Sequence, residues 1–181
     1  CRVHRKMIQT ILFLSTSSWP GGAERVISNL AASLDPARYR AVLCLFRQGW
    51  IRERSESRGV RTHIIPTCGM TDWRWALRFR RLLDEEHVDL IHAHEFDANV
   101  QGTFVAAISG IPLVATVHGK HYFWEKWRRC LAYRWVSRQA TMVAVSEDLK
   151  QFIVEKVGAC PERITVLYNG VDVPMPPRQA E

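Results

Sequence analysis

The sequence predicts an α/β fold in which a doubly wound, mostly parallel sheet of about seven strands carries helices on both faces. Short apolar runs of strand length alternate with longer segments whose apolar residues recur at helical spacing. The short runs are apolar at nearly every position, which is typical of strands buried on both faces. Strands that are separated by helices form crossover units, and such units give a parallel sheet.

Each element follows from its local pattern. The predicted strands are residues 8–15, 39–46, 60–65, 88–93, 113–117, 141–145 and 164–167. The predicted helices are 23–34, 73–86, 96–109, 123–138 and 146–157, and 51–58 forms a short polar helix or turn. We expect one domain over 8–173, after a basic tail at 1–7. The proline-rich segment 174–181 is typical of a linker or a truncation point.

Composition excludes several classes of protein. With 181 residues, 47% hydrophobic and 24% charged, the chain has an ordinary globular balance rather than a disordered or fibrous one. No stretch approaches the roughly 18 apolar residues of a membrane-spanning helix. Five cysteines without a C-x-x-C spacing favour a reducing, cytoplasmic protein over a zinc or disulfide framework. The net charge of +7 favours an anionic partner.

Candidate site residues follow the predicted strands, at the edge where parallel sheets bind ligands. They are Gly21, Gly22 and Glu24 after the first strand, His92, His94 and Glu95 around the end of the fourth, His118, Gly119 and Lys120 after the fifth, Ser146 after the sixth and Asn169 after the seventh. This concentration predicts a ligand site at that edge.

The pair Gly21-Gly22 stands immediately before a predicted helix. Glycine permits close backbone approach, and the free N–H groups and dipole of a helix N-terminus attract an anion such as a diphosphate. A plain strand-to-helix turn is the alternative. Glu24 either complements the helix dipole or shapes the glycine turn through a hydrogen bond.

The histidines allow two kinds of chemistry. His118 follows a buried strand and precedes a glycine, so it can act as an acid, a base or a hydrogen-bond donor. His92 and His94 are two residues apart and would face the same side of a strand; His94, with Glu95, lies nearer the edge. These three histidines and Glu95 could instead bind a metal, although H-x-H alone is a weak pattern.

Two segments combine basic and aromatic residues. Residues 123–138 hold five basic side chains against one glutamate, with aromatic residues between them, and 73–81 forms a second patch. A basic, aromatic helix suits an anionic bilayer interface. Alternatively, the aromatic rings pack on the sheet and the arginines are solvated. No nucleic-acid recognition motif is present.

Four segments carry a resemblance to a known family. They are GGAERVISNLAASL after the first strand, ATVHG at the fifth, VAVSEDLKQFIVEKVG at the sixth and ITVLYNGVD at the seventh. In this order they resemble retaining glycosyltransferases of family 4, which have the GT-B fold. The resemblance runs from about residue 8 to 173 and covers the N-terminal, acceptor-side domain of the family's two Rossmann-like domains.

The resemblance implies transfer of a sugar, of the hexosyltransferase type, from a nucleotide-sugar donor to a glycan or lipid-linked acceptor. It implies that Gly21, Gly22 and Asn169 contact the donor and that His118 lies close to the reacting sugar. The acceptor side would be shaped by Glu24, His94, Glu95, Gly119, Lys120 and Ser146. No metal or other cofactor is expected. The donor-binding domain is missing from this sequence, so we expect the chain alone to be inactive.

Two alternatives stay open at this stage. One is a metal-dependent hydrolase that uses the histidine cluster. The other is a stand-alone module that binds a nucleotide or an anionic lipid, and it predicts tight binding by this chain alone. For the transferase we expect a cytoplasmic enzyme of glycan or cell-surface polysaccharide biosynthesis, peripheral on the inner face of the membrane through residues 123–138.

Overall fold

The computed structural model describes residues 8–16, 18–69, 71–120 and 127–170, which contain one seven-stranded sheet. Its strands are β1 (Gln9–Ser15), β2 (Tyr39–Leu45), β3 (Arg61–Ile64), β4 (Leu90–His94), β5 (Leu113–Val117), β6 (Thr141–Ala144) and β7 (Ile164–Val166). The order across the sheet is β3-β2-β1-β4-β5-β6-β7, with parallel pairing throughout. The predicted doubly wound, Rossmann-like sheet is therefore confirmed.

Six α-helices lie on the two faces of the sheet within the described ranges. They are α1 (Gly22–Ser33), α2 (Trp50–Glu56), α3 (Trp73–Glu85), α4 (Phe96–Ser109), α5 (Trp127–Gln139) and α6 (Glu147–Phe152). Helices α1 and α2 pack on one face, and α3 to α6 pack on the other. Within the described part of the chain, no helix is both long and apolar enough to cross a membrane.

Strand β1 shows why the apolar runs do not alternate. Leu12 and Leu14 belong to the core cluster on the α3–α4 side, whereas Phe13 packs with Ile27 of α1 and Ile51 of α2. All five side chains are at most 1% exposed. Because both faces are covered, successive residues of the strand are buried in turn, and each such side chain stabilises the fold by about 1.5–3 kcal/mol.

The fourth strand begins later than predicted. The sequence pattern indicated residues 88–93, but β4 is Leu90–His94. The N–H of Val88 donates to the carbonyl of Leu83 at 3.0 Å, and His87 has a left-handed backbone with φ 49°. Val88 therefore helps to end α3 instead of starting the strand, and His94 becomes the last residue of β4.

The helix predicted at 146–157 changes type along its length. It is α-helical to Phe152 and continues as a π-helical turn (Ile153–Val157) that ends at Gly158 with φ 71°. The helix predicted at 123–138 is seen from Trp127, and residues 123–126 lie outside the described residues, as do both predicted tails.

Candidate functional site

The winding of the sheet changes direction between β1 and β4, which is where open α/β sheets bind ligands. Thr16 follows β1 and Glu95 follows β4, and the Thr16 hydroxyl donates to the Glu95 carboxylate at 3.0 Å. Glu95 has φ 70° and ψ 170°, a region that costs a non-glycine residue about 1–3 kcal/mol. The chain thus holds a strained turn at the carboxyl edge of the sheet.

The glycine turn is the next feature of this edge. Gly21 is the N-cap of α1 in an extended conformation, with no side-chain hydrogen bond capping the helix in the described structure. The first N–H groups of α1 therefore lack helical partners and carry the positive end of the helix dipole. A Cβ added at Gly22 would meet nothing within 4 Å. The backbone at Gly22 is consequently open to an approaching ligand.

Gly21 has a different role from Gly22, because it makes room for Glu24. A Cβ at Gly21 would lie 2.2 Å from Oε2 of Glu24, which is only 5% exposed. The Glu24 carboxylate is thus folded back under the turn. Burial lowers the pKa of His118 to about 4, and the negative charge of Glu24 acts in the opposite direction. Glu24 therefore lies close to both the glycine turn and His118.

Three histidines form a stack beside this turn, and we call His92, His94 and His118 the histidine stack. The ring centroids of His92 and His94 are 4.1 Å apart, and those of His94 and His118 are 5.4 Å apart. Nδ1 of His94 lies 3.1 Å from Nε2 of His118, so one ring donates a hydrogen bond to the other. The two residues on β4 face the same side, as the spacing predicted.

Burial keeps the histidine stack uncharged at neutral pH. Desolvation lowers the pKa of His92 to about 4 and that of His94 well below 6.5. Nε2 of His92 is 2.8 Å from Oγ1 of Thr116. By contrast, Nε2 of His94 and Nδ1 of His118 are buried without a hydrogen-bond partner among the described residues. Unpaired buried polar atoms are costly, so these two nitrogens mark positions where a ligand or water would bind.

A cavity of about 620 Å³ adjoins the stack on the α1 side of the sheet. His92, His94, Thr116 and Asn169 line it, but Gly21, Gly22 and His118 do not. The structure therefore brings the glycine turn, Glu24, His118 and His94 close together. Asn169 lines the same cavity as His94. Although His94 lies nearer the edge, it is only 1% exposed, whereas His92 is half-buried.

The remaining predicted residues lie after β5 and β6. Lys120 Nζ is 2.5 Å from the Asp148 carboxylate and 5.5 Å from the centroid of the Phe152 ring. The Ser146 hydroxyl accepts from the N–H of Leu149 at 3.2 Å and caps α6. Both side chains thus contact α6. Gly119 joins His118 to Lys120, and its proposed part in the acceptor side stays a prediction, as do those of Lys120 and Ser146.

Sequence reasoning missed Asn99, which supports the site from the first turn of α4. Its Nδ2 donates to the carbonyl of Thr116 at 3.0 Å and to the hydroxyl of Tyr133 at 2.6 Å, and the residue is fully buried. It therefore ties the end of β5, two residues before His118, to α5. Nothing in the local pattern marks it, since an asparagine near a helix start is ordinary.

The metal cluster allowed by the sequence is not assembled. In the ranges that the structure describes, no group of three or more His, Cys, Asp or Glu side chains is arranged to hold a metal ion. His94 and His118 direct ring nitrogens at each other, and Glu95 accepts from Thr16. The observed geometry therefore gives no support to the metal-dependent hydrolase.

The chain is similar to known glycosyltransferases in sequence and in fold. Residues 20–174 match the model of Glycosyltransferase Family 4. Anabaena Alr3699/HepE in complex with UDP and glucose is 25% identical with a TM-score of 0.76, covering 93% of this chain and 45% of that one. A glycosyltransferase from Rickettsia africae ESF-5 is 17% identical with a TM-score of 0.78, covering 91% and 44%.

A further similar structure is the apo form of WaaB, a lipopolysaccharide outer core galactosyltransferase, at 17% identity and a TM-score of 0.68, covering 95% of this chain and 50% of that one. No curated protein matches the chain. The chain spans half or less of the length of these solved structures. The family match covers most of the chain, and its sheet is that of the Rossmann-like half of GT-B glycosyltransferases. The chain therefore belongs to glycosyltransferase family 4.

Proposed function

We propose that this chain is the acceptor-side half of a retaining glycosyltransferase of the hexosyltransferase type. It would transfer a sugar from a nucleotide-sugar donor to a glycan or lipid-linked acceptor, in glycan or cell-surface polysaccharide biosynthesis. The observation that carries the proposal is that the glycine turn before α1 and the His94–His118 pair both lie close to Glu24. Family membership supports sugar transfer as the reaction.

A nucleotide diphosphate suits the glycine turn. Two structures of HepE at 25% identity are complexes with UDP and glucose and with UDP-glucose. In our proposal, the diphosphate approaches Gly22, where the backbone leaves open space, and accepts hydrogen bonds from the first N–H groups of α1. The backbone N–H groups would stabilise the charge that develops on the leaving diphosphate. We assign Asn169 to the donor side as well, from the wall of the neighbouring cavity.

His118 is proposed to hold the reacting sugar by a hydrogen bond. Its Nε2 is engaged by His94, so we assign the sugar hydroxyl to the unpaired Nδ1, which is buried and would have to become accessible when the donor binds. Because burial lowers the pKa of His118 to about 4, the ring is neutral at neutral pH and suits an uncharged hydroxyl better than a phosphate. Glu24, His94 and Glu95 would hold the His118 ring in this position. Gly119, Lys120 and Ser146 would face the acceptor. The proposed chemistry uses no metal or cofactor.

The length of the relatives supports a second, donor-binding domain in the complete protein, since this chain covers 45% of HepE. Donor contacts would then be divided between two domains. The isolated chain should consequently bind nucleotide sugars weakly and show little or no turnover, whereas a stand-alone nucleotide module would bind tightly.

The test is an assay of nucleotide release by the complete protein, expressed from its whole reading frame, with a panel of nucleotide sugars. His118→Ala should lower kcat by about 10²–10³, the effect of losing one positioned hydrogen-bond partner in a transition state. The matched control is His87→Asn, which lies before β4 at the opposite edge of the sheet and keeps a residue that tolerates φ 49°.

The outcomes are distinct. Wild-type turnover by His118→Ala contradicts the role of His118, and a similar loss in His87→Asn shows a general effect on folding. Stoichiometric zinc in the purified protein, with activity lost on chelation, would favour the hydrolase. Calorimetry of the isolated chain with UDP tests the alternative of a stand-alone nucleotide-binding module. Tight binding would contradict a donor site that is divided between two domains.

A further inference from the structure

The contact between His94 and His118 allows only two arrangements of hydrogen. Nδ1 of His94 lies 3.1 Å from Nε2 of His118, so a single hydrogen lies between these two nitrogens. Two hydrogens there would clash, and without any hydrogen two lone pairs would face each other. A neutral imidazole carries one N–H and one acceptor nitrogen. Each arrangement of the shared hydrogen therefore fixes the tautomers of both rings.

The two arrangements present opposite groups to a ligand. When Nδ1 of His94 donates to Nε2 of His118, both rings are protonated at Nδ1. Nδ1 of His118 is then a donor, and Nε2 of His94 is an acceptor. When Nε2 of His118 donates instead, both rings are protonated at Nε2, and the two outer nitrogens exchange these roles. The rings thus share one tautomer, and their outer nitrogens always have opposite hydrogen-bonding character.

The surroundings of the pair leave the choice of tautomer to a ligand. Burial lowers the pKa of His118 to about 4 and that of His94 well below 6.5, so neither ring takes up a second proton at neutral pH. The outer nitrogens, Nδ1 of His118 and Nε2 of His94, have no hydrogen-bond partner among the described residues. His94 lines the cavity on the α1 side of the sheet, and His118 does not. The two ends of the pair therefore belong to different parts of the site.

We propose that His94 and His118 form a tautomer-coupled pair, through which a group bound on the cavity side sets whether His118 donates to the sugar or accepts from it. A group that donates to Nε2 of His94 makes Nδ1 of His118 a donor, and a group that accepts makes it an acceptor. The coupling is reciprocal, so a bound sugar also selects the tautomer of His94. His94 is thus a positioning residue that acts through His118. The sugar at Nδ1 rests on the proposed function, whereas the coupling of the tautomers does not.

Glu24 allows the pair to be perturbed from one end. Its negative charge acts on the pKa of His118, whereas burial and the two other histidines act on that of His94. His92 is an internal reference, because its ring centroid is 4.1 Å from that of His94 while its Nε2 lies 2.8 Å from Oγ1 of Thr116. His92 therefore contacts the pair without sharing its hydrogen.

The experiment is nitrogen-15 NMR at neutral pH of the 181-residue chain with labelled histidine rings, in which protonated and unprotonated ring nitrogens give separate signals. Single histidine variants assign the signals. We expect His94 and His118 to show equal fractions of the Nδ1-protonated tautomer in the wild type. In Glu24→Gln the ratio of tautomers should change by about threefold or more, and the fractions of the two rings should remain equal. The ratio of His92 should change less, since it has its own partner.

A second variant removes the shared hydrogen. His94→Phe keeps an aromatic ring in the stack, but His118 loses its partner, so its tautomer fraction should differ from the wild-type value. Glu53→Gln in the first turn of α2 is the control for net charge and should leave both fractions unchanged. Circular dichroism and urea unfolding of all variants establish that the fold is retained.

Two results would overturn the proposal. One is an unequal tautomer fraction of His94 and His118, either in the wild type or in Glu24→Gln. The other is an unchanged His118 tautomer in folded His94→Phe; if that variant does not fold, the comparison of the wild type with Glu24→Gln decides. These readouts need no nucleotide or sugar, so the coupling can fail while the proposed reaction stands. Conversely, wild-type turnover by His118→Ala would remove the sugar from Nδ1 and leave the coupled tautomers intact.

Discussion

The contact between Gly21 and Glu24 gives the sharpest prediction about the site. A Cβ added at Gly21 would lie 2.2 Å from Oε2 of Glu24, whereas ordinary contacts of this kind are 3.4–4 Å. The Glu24 carboxylate would have to retreat by about 1 Å from a position where it is 5% exposed. Gly21 itself is extended, with φ −150°, so alanine adds no backbone strain there.

The magnitude follows from that displacement. Overpacking a tight contact costs about 1–3 kcal/mol, and we expect Gly21→Ala to lower the free energy of unfolding by that amount. Gly22→Ala is the matched control, since its Cβ meets nothing within 4 Å. Alanine also reduces the freedom of the unfolded chain, so Gly22→Ala should be neutral or stabilising by up to about 1 kcal/mol.

Urea unfolding of a double-mutant cycle measures the contact directly. In the Glu24→Ala background the clashing carboxylate is gone, so Gly21→Ala should cost little further stability there. The coupling free energy of the cycle should be about 1–3 kcal/mol. If Gly21→Ala is equally costly with and without the Glu24 side chain, the steric reasoning is refuted and the glycine serves another purpose.

Further predictions concern stability and use urea unfolding. Because burial holds the folded pKa of His92 and His118 near 4, against 6.5 ordinarily, the unfolded chain binds more protons between these values. Stability should therefore fall as pH drops from about 6.5 toward 4, by up to about 1.4 kcal/mol per pH unit for each histidine, and a flat profile contradicts this. Asn99→Ala removes the buried hydrogen bonds to the Thr116 carbonyl and the Tyr133 hydroxyl and should cost about 1–3 kcal/mol; an unchanged midpoint would contradict these bonds. Gly49→Ala places a Cβ 2.7 Å from the Ser18 carbonyl oxygen and should cost about 1–3 kcal/mol, and full stability would argue against that packing.

The fold could be predicted because its signal is local and repeated. Each strand is a continuous apolar run, and the regular alternation of strands with helices predicts a parallel sheet. The error at β4 has a local cause: Val88 is apolar like a strand residue, but its N–H completes the end of α3. An apolar residue at a helix end cannot be distinguished from the start of a strand by hydrophobicity alone.

The placement of the candidate residues at one edge of the sheet was predicted in outline, because parallel strands bring their carboxyl ends to one edge. This rule placed Gly21 and His118 at the same edge, but it could not predict which nitrogen of His118 is engaged or that Glu24 lies under the glycine turn. The strained backbone of Glu95 and the contacts of Asn99 were invisible for the same reason. These features depend on side-chain contacts and backbone angles that the hydrophobic pattern of the sequence does not report.

The position of Glu24 gives a physical reason for the weak donor binding that we expect from the isolated chain. Its buried carboxylate already lies at the positive end of α1, where the diphosphate of our proposal would bind. Two unit charges about 5 Å apart repel by about 3 kcal/mol at an effective dielectric constant near 20. Cations from a second domain would have to offset this repulsion.

Glu24→Gln tests that reasoning, because it removes the charge and keeps the shape. We expect the isolated chain to bind UDP tenfold or more tightly after this substitution, a factor below the full Coulomb value because water screens the edge of the sheet. Calorimetry at neutral pH measures the affinity, and Glu53→Gln in the first turn of α2 is the matched control for net charge. Unchanged affinity in Glu24→Gln would mean that the diphosphate does not approach α1, and it would remove the glycine turn from the proposed donor site.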